Sequence, residues 1–239
     1  MSIFALADLH LSLSNPEKSM DVFGTSWEGY IDRIRNAWEE AVTDDDTVLI
    51  SGDISWATYI ENAREDFEFI NSLPGRKLLS RGNHDYWWTT MAKMEKIFSE
   101  WKLDSMGFVR TNAVECEGCL ITGTRGWNLP KSGSDFTEED RKIYDREVER
   151  TKLAIKELDK ADPDRTKKRI FMIHYPPMTR DIKRSELTDI MEEGGIDICV
   201  YGHLHGMAHR FVNSEGTGSK TEYICTSSDY LKFAPIKII

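Results

Sequence analysis

The feature that most constrains the fold is an alternation of short apolar runs with amphipathic stretches in the first hundred residues. Buried strands are predicted at residues 3–7, 47–51 and 77–80, because each is a short apolar run that ends in polar or turn-forming residues. The stretches after these runs carry apolar residues at three- and four-residue steps, which is typical of amphipathic helices. This β-α-β-α-β order predicts parallel strands joined by helical crossovers.

The middle of the chain predicts a hairpin followed by a long helix. Between about residues 108 and 124, apolar runs flank Glu117-Gly118, which is typical of two strands joined by a tight turn. Thr137 and Asp140 have the spacing of a capping box, so a helix is expected to begin there and to run to about residue 160. Its dense content of charged residues favours a solvated outer face.

The last third of the chain is rich in short strands. These are predicted at residues 169–173, 196–201, 208–213, 221–226 and 231–238. A helix separates the first two, and a Gly/Ser-rich turn is expected at 214–219. Because no repeat, linker or low-complexity tract interrupts the chain, we expect one α/β domain over residues 1–239, with two mixed sheets and the helices outside them.

Composition narrows the classes of function and location. A net charge of −10 argues against binding of long nucleic acid, which needs a basic surface. The first apolar run is too short for a signal peptide, and no run approaches the roughly 18–20 residues of a membrane span. We therefore expect a cytoplasmic protein that has no membrane partner and whose cysteines are reduced. Cys116 and Cys119 are interpreted as hairpin residues rather than a zinc or redox pair, although one isolated pair leaves their role open.

Polar side chains follow five of the predicted strands, at the points where the strands end. The motifs are Asp8-Leu9-His10, Gly52-Asp53, Gly82-Asn83-His84-Asp85, His174 and Gly202-His203-Leu204-His205. Because the carboxyl ends of parallel strands meet at one edge of a sheet, these groups are expected to share one rim. A single Asp or Asn at a strand end is usually a turn residue, but turn chemistry does not explain five such ends together.

The donor types at this rim favour a catalytic metal site. Imidazole, carboxylate and amide oxygen without thiolate suit first-row ions rather than a structural zinc cage. Seven candidate ligands exceed the three protein groups of a typical catalytic zinc, and they fit two metals that share one carboxylate. Mn or Fe, as divalent or trivalent ions, are expected, and Zn or Ni would fit the same donors.

In this order the five motifs resemble those of the calcineurin-like metallophosphoesterase superfamily, in the form of a small bacterial-type predicted phosphohydrolase. The resemblance extends from Asp8 to His205 and implies a four-layer αββα fold, in which a sandwich of two mixed sheets is flanked by helices. It implies that one metal is bound by Asp8, His10 and His205. It implies that the other metal is bound by Asn83, His174 and His203, with Asp53 as the bridge. His84 would lie over the leaving group, oriented by Asp85.

This resemblance implies a phosphohydrolase that cleaves a phosphate monoester or diester. A metal-bridging hydroxide would attack phosphorus, and His84 would act as general acid, with Asp85 keeping it protonated. The alternative is a non-catalytic metal-binding scaffold of the same fold. Such scaffolds typically lose ligands, whereas this chain keeps all seven together with His84.

The substrate is expected to be a small phosphate ester. Trp87 and Trp127 lie near the predicted rim in sequence and are candidates for stacking on a base or sugar, while Arg125 is a candidate for binding a phosphate. The competing interpretation is that the indoles pack under the loops and that Arg125 makes an ordinary ion pair. The identity of the substrate, the choice between monoester and diester, and the oligomeric state stay open.

Overall fold

The computed structural model describes residues 1–131, 136–213 and 217–239. Within these ranges the strands are β1 (Ile3–Ala5), β2 (Thr47–Ser51), β3 (Arg76–Ser80), β4 (Met106–Phe108), β5 (Val114–Cys116), β6 (Cys119–Thr124), β7 (Lys168–Ile173), β8 (Ile198–Tyr201), β9 (Glu222–Cys225) and β10 (Ile236–Lys237). The α-helices of the same ranges are α1 (Tyr30–Ala41), α2 (Arg64–Ser72), α3 (Met91–Glu100), α4 (Glu138–Ala161) and α5 (Glu186–Glu193). Residues 214–216 of the predicted turn lie outside the described residues.

The strands form two mixed five-stranded sheets. The first has the order β10-β1-β2-β3-β4 and the second has the order β5-β6-β7-β8-β9. In each sheet four neighbouring strands are parallel, and the antiparallel partner is an edge strand, β10 in the first sheet and β5 in the second. This arrangement confirms the predicted class of two mixed sheets and places the carboxyl ends of eight parallel strands at one edge.

Three apolar clusters define the layers of the fold. Ile3, Leu49, Met172 and Val200 belong to the cluster that fills the space between the two sheets. The opposite face of the first sheet packs against α1, α2 and α3, and the opposite face of the second sheet packs against α4 and α5. Strands buried on both faces explain the continuous apolar runs in the sequence. The order of layers is therefore αββα.

The long charged helix α4 begins as the sequence predicts. The Thr137 side chain accepts a hydrogen bond from the Asp140 amide, and the Asp140 carboxylate accepts one from the Thr137 amide. These two bonds satisfy amides that the first helical turn leaves without partners. No helix in the described ranges is long and apolar enough to cross a membrane.

Three predicted strand regions differ from the structure. Met106–Phe108 pairs in parallel with β3 in the first sheet, so the hairpin is confined to β5 and β6. Residues 208–213 do not form a strand, because Gly206–Phe211 is a 3-10 helix whose three-residue period turns Ala208 and Phe211 toward the same apolar cluster. Within 231–238 only Ile236–Lys237 forms a strand, because Lys232 and Phe233 adopt left-handed conformations.

The hairpin turn explains the two neighbouring cysteines. Glu117 and Gly118 both have positive φ, 49° and 73°, as a two-residue hairpin turn requires. The turn brings Cys116 and Cys119 opposite each other as the last pair of β5 and β6. All four cysteines of the chain are free thiols.

Candidate metal centre

The strand-end motifs converge on one rim and form two clusters of candidate ligands. The first cluster contains Asp8, His10 and His205. His10 Nε2 lies 3.3 Å from His205 Nε2, which in turn lies 3.6 Å from Asp8 Oδ1. Three nitrogen and oxygen atoms at these separations surround a space of the size that one cation needs.

The second cluster contains Asp53, His174 and His203, together with the amide of Asn83. Asn83 Oδ1 lies 2.7 Å from His174 Nε2 and 2.9 Å from His203 Nδ1. The two ring nitrogens are 3.2 Å apart. These atoms follow β3, β7 and β8, which belong to different sheets, so the second cluster joins the two sheets at the rim.

Asp53 connects the two clusters. Its Oδ2 atom lies 3.4 Å from His174 Nε2 in the second cluster and 3.7 Å from His10 Nε2 in the first. The other oxygen, Oδ1, accepts a hydrogen bond of 2.8 Å from the His84 amide, which fixes the carboxylate in this position. One carboxylate between two ligand sets is the arrangement that a pair of metals requires.

The hydrogen bonds around His174 test whether these residues fit a metal. Its Nδ1 atom donates to the Ser51 carbonyl oxygen at 3.0 Å, which leaves the lone pair on Nε2. Burial lowers the pKa of His174, so the ring is neutral at pH 7. The Nε2 lone pair therefore faces a second acceptor, Asn83 Oδ1 at 2.7 Å, and lies 3.4 Å from Asp53 Oδ2. A cation at this point would be bound by the lone pair, the amide oxygen and the ionised carboxylate, so the donor set fits a metal ion.

The carboxylates of the rim also favour cations. Burial raises the pKa of Asp53 to about 8, and the neighbouring charge of Asp8 raises it in the same direction. Burial acts in the same way on Asp8, but the charge and hydrogen bond of His205, together with the rings of His174 and His10, outweigh it and hold the pKa of Asp8 below its usual range. Two adjacent buried carboxylates repel each other unless positive charge lies between them.

Four of the candidate ligands have strained backbones. Asp8, His10, Asp53 and His203 adopt left-handed conformations, with φ of 59°, 45°, 51° and 72°. Side-chain-bearing residues seldom adopt this region, and each instance costs roughly 1–3 kcal/mol. Strain of this kind is concentrated at functional sites, and here it turns the side chains of successive loops toward one point.

Glycines allow the rim loops to approach one another. A Cβ atom on Gly82 would lie 2.1 Å from Asp53 Oδ1, and one on Gly202 would lie 2.5 Å from Asp8 Oδ2. Both distances are far below any real carbon contact, so only glycine leaves room for these carboxylates.

Asp229 supports the first cluster and was not predicted from the sequence. Its Oδ1 atom accepts a hydrogen bond of 2.8 Å from His205 Nδ1, and its Oδ2 atom accepts one of 2.9 Å from the Gly206 amide. This contact directs His205 Nε2 toward Asp8 and resembles the carboxylate–histidine pairs that orient metal ligands. Asp229 belongs to none of the five strand-end motifs, and the sequence signal that could have found it is its position four residues after β9.

His84 lies beside the two clusters. Its ring is half-buried, 4.6 Å from the Trp56 ring and 5.8 Å from the His10 ring between centroids. Burial lowers the pKa of His84, and the nearby rings of His174 and His205 add to this effect. His84 is therefore neutral at pH 7 in the free site, with its ring next to the candidate ligands.

Asp85 is placed beneath the loops rather than beside the His84 ring. Its buried carboxylate accepts hydrogen bonds from the Gly82, Asp53 and Ile54 amides at 2.7, 2.9 and 2.8 Å. Trp87 Nε1 donates to the same carboxylate at 2.9 Å. Among the described residues, these groups and not the His84 ring provide the hydrogen bonds to the Asp85 carboxylate. Asp85 therefore fixes the backbone that carries Asp53 and Asn83. Burial, with the nearby charge of Asp53, raises its pKa to about 6.

The three candidate substrate residues lie in different environments. Trp87 is 1% exposed and packs edge-on against Phe67, so it belongs to the core under the rim. Trp127 is half-buried, with its ring 5.2 Å from that of Tyr175 between centroids, and it lines a cavity of about 420 Å³ that the candidate ligand His203 also lines. The Arg125 guanidinium lies 4.7 Å above the Trp127 ring. The structure therefore brings Trp127 and Arg125, but not Trp87, to the accessible surface near the rim.

The protein is an αββα sandwich that carries two clusters of nitrogen and oxygen donors at its strand ends. This combination is a candidate dinuclear metal centre on an αββα fold. The chain belongs to the calcineurin-like phosphoesterase family, whose family model matches residues 1–207. The matched range contains all seven candidate ligands and His84. Members of this family typically bind two metal ions, in agreement with the two clusters.

The solved structures that match this chain have low sequence identity to it. The protein of unknown function AQ665 from Aquifex aeolicus is 16% identical with a TM-score of 0.49, covering 99% of this chain and 95% of that one. TT1561 of Thermus thermophilus is 11% identical with a TM-score of 0.47, covering 87% and 85%. A third structure, at 11% identity, has a TM-score of 0.52 over 90% of each chain, which reflects a shared fold. No curated protein matches the sequence.

Proposed function

We propose that this protein hydrolyses a small phosphate monoester or diester at a dinuclear metal centre, with His84 as the general acid. The observation that supports it most directly is the position of Asp53, whose Oδ2 atom lies within 3.7 Å of ligands in both clusters. Mn or Fe are the proposed metals, because imidazole and carboxylate donors without thiolate suit these ions. The whole chain, residues 1–239, is proposed to act as one domain.

The metal ions supply the electrophilic part of the chemistry. When bound, two such cations lower the pKa of a coordinated water and offset the negative charge on the phosphate oxygens. The chain supplies rigid positioning: Ser51 fixes the ring of His174, Asp229 fixes that of His205, and the His84 amide fixes Asp53. Donors that are already rigid in the folded protein need no rearrangement during the reaction. They contribute to catalysis because the free energy of ordering them is spent on folding and does not add to the barrier.

His84 is proposed to donate a proton to the leaving oxygen. The pKa of His84 is lowered in the free site, so the ring must gain a proton when substrate binds. The negative charge of the phosphate favours this step, because it stabilises the imidazolium form. The ring lies beside the stacked pair of Trp56 and His10, with centroids 4.6 and 5.8 Å away, and these neighbours limit its orientation. Asp85 is proposed to act on His84 through the loop backbone, since its carboxylate binds the Gly82 amide.

The cavity next to His203 is proposed to hold the organic part of the substrate. Trp127, Tyr175 and Leu204 line it, and its volume of about 420 Å³ is within the range of small-molecule sites. Aromatic walls favour a flat or apolar group, such as a base or a sugar face.

The test of this function combines metal content with hydrolysis. The purified protein is assayed with Mn²⁺ on a panel of monoesters and diesters, and kcat/KM is measured for each. Asp53→Asn is expected to lose metal and activity together. Asp66→Asn, an isosteric change of another buried carboxylate, is the matched control and should keep both. Two metals retained per chain in Asp53→Asn would contradict the bridging role.

His84→Ala separates proton donation from metal binding. It should keep both metals and slow hydrolysis by roughly 10²–10⁴-fold for alkyl esters, whose leaving group needs a proton. The loss should be much smaller for a p-nitrophenyl ester, whose leaving group is stable as an anion. Equal losses for the two esters would exclude the general-acid role. If wild-type protein with two metals hydrolyses no ester of the panel, the non-catalytic scaffold is the correct alternative.

A further inference from the structure

A second pocket, separate from the metal centre, is lined by five arginines. They are Arg81, Arg110, Arg125, Arg146 and Arg150. The first three follow β3, β4 and β6, and the last two lie on α4, so the pocket is formed between the two sheets and α4. Its volume is about 410 Å³. This concentration of positive charge occurs on a chain whose net charge is −10.

Among the described residues, the pocket has few acidic groups to balance these charges. Of the described residues that line it, Glu147 is the single carboxylate, and it is already engaged by Arg150 and by the Gly126 amide at 3.0 Å. Arg81, Arg110, Arg125 and Arg146 have no carboxylate within 4.0 Å in the part of the chain that the structure describes. Guanidinium groups held close together without counter-charges repel one another, so the pocket favours an anion.

Buried donors in the same walls also lack acceptors. Among the described residues, Trp88 Nε1, Arg81 Nε, Arg125 Nε and Thr124 Oγ1 are buried and have no hydrogen-bond partner. All four belong to residues that line the pocket, and Trp88 and Thr124 are 7% and 5% exposed. Unpaired buried donors are rare in folded proteins because each costs roughly 1–3 kcal/mol. The walls of the pocket therefore contain polar groups in addition to the guanidinium charges.

The pocket adjoins the metal centre through two of its arginines. Arg81 is two residues before Asn83, so their Cα atoms are within about 7 Å. The Arg125 carbonyl oxygen accepts hydrogen bonds from the His174 and Tyr175 amides at 3.1 and 3.0 Å. A small molecule that reaches from the rim into the pocket would contact both sites.

We propose that the arginine pocket binds a phosphoryl group other than the one at the metal centre. Phosphate presents several acceptor oxygens and up to two negative charges, and guanidinium groups bind it through paired hydrogen bonds. The phosphoryl group has two sources: a second phosphate on the substrate itself, or a separate phosphorylated ligand. The first source rests on the proposed function and extends it by making the substrate a bisphosphorylated molecule.

The binding test uses inorganic pyrophosphate as the probe and isothermal titration calorimetry as the readout. In Asp53→Asn, which is expected to lack the metal centre, pyrophosphate should still bind once per chain. Adding Arg110→Gln and Arg146→Gln, both at exposed positions, should weaken this binding by at least ~10-fold. The matched control carries Lys96→Gln and Lys156→Gln, which remove the same charge from exposed positions outside the pocket, and it should bind as before.

The source of the phosphoryl group is tested by hydrolysis with the wild-type protein. A series of α,ω-alkanediol bisphosphates is compared with alkyl monophosphates of equal length. If both phosphates belong to one substrate, bisphosphates of one length should have a lower KM than the monophosphates. That KM should rise in the Arg110→Gln/Arg146→Gln variant. Equal KM values together with arginine-dependent pyrophosphate binding identify a separate phosphorylated ligand.

The proposal fails if pyrophosphate binding in the Asp53→Asn protein is unchanged by the two arginine substitutions while thermal unfolding shows both proteins folded. Failure of the proposed function has a different result. In that case the wild-type protein hydrolyses no ester, but arginine-dependent pyrophosphate binding persists.

Discussion

Replacing Asp229 by alanine should weaken one metal site and spare the other. The Asp229 carboxylate binds His205 Nδ1 at 2.8 Å and the Gly206 amide at 2.9 Å, so its removal frees both the ring and the loop that carries it. Carboxylates that orient a metal-binding histidine contribute roughly 10–100-fold to metal affinity. At about 1.4 kcal/mol per tenfold, the expected loss is about 1.4–2.8 kcal/mol of binding free energy.

The loss should be confined to the cluster of Asp8, His10 and His205. Asp229 holds the ring of His205, whereas the ring of His174 in the other cluster is held by the Ser51 carbonyl oxygen. Dialysis of the Mn²⁺-loaded protein against a graded series of chelator concentrations, followed by elemental analysis, should therefore show a species with one metal per chain. Wild-type protein should keep two metals over the same chelator range.

Two further variants make this prediction specific. Asp229→Asn keeps the shape and one acceptor oxygen but removes the charge, so its metal affinity should lie between those of wild type and Asp229→Ala. His209→Ala removes the other histidine at Asp229, whose Nε2 atom lies 3.2 Å from Oδ2, without touching His205, and should retain both metals. Simultaneous loss of both metals from Asp229→Ala, or full retention of both, would refute the orienting role.

Three other predictions concern the rim loops, pH and the substrate cavity. Gly82→Ala places a Cβ atom 2.1 Å from Asp53 Oδ1, so it should lower the free energy of unfolding by roughly 1–3 kcal/mol and abolish binding of two metals, as measured by urea unfolding and elemental analysis. Burial lowers the pKa of Lys77 from 10.5 to about 8, so between these values the unfolded chain binds more protons and the wild-type protein gains stability as pH rises. The free energy of unfolding of Lys77→Met minus that of wild type should therefore fall by about 2 kcal/mol between roughly pH 7.5 and pH 10. A difference that does not change with pH would contradict this. Trp127→Ala should raise KM for esters with aromatic groups and leave kcat within about twofold, because the indole lines the cavity beside the candidate ligands; an equal effect on methyl phosphate would argue against the contact.

The candidate ligands could be placed from the sequence because their signal is local. Each follows an apolar run directly, and the geometry of parallel strands brings such positions to one edge. Asp53, for example, lies at the rim because β2 ends at Ser51 and the chain turns at Gly52. Strand periodicity and strand direction were sufficient to bring these side chains to one rim, whereas their division between two metals rested on the resemblance to a known family.

The supporting contacts could not be placed in this way. Asp85 is next to His84 in the sequence, but in a tight loop successive side chains point in different directions, and its carboxylate turns inward to backbone amides. Trp87 is buried for the same reason. Asp229 follows the parallel strand β9 by four residues and so lies at the same edge, but the sequence pattern does not record its contact with His205, which is 24 residues away.

The left-handed conformations at the rim have a consequence for how the fold responds to metal supply. Four strained residues together hold several kcal/mol, which is a large part of the net stability of a typical domain, ~5–15 kcal/mol. Ligands that bind only the folded state add stability in proportion to the logarithm of their concentration. The loops of Asp8 and Asp53 should therefore open first in metal-depleted protein, and their amides should exchange with solvent well before those of β2 and β7. Metal supply would then set the lifetime of the folded rim as well as its chemistry.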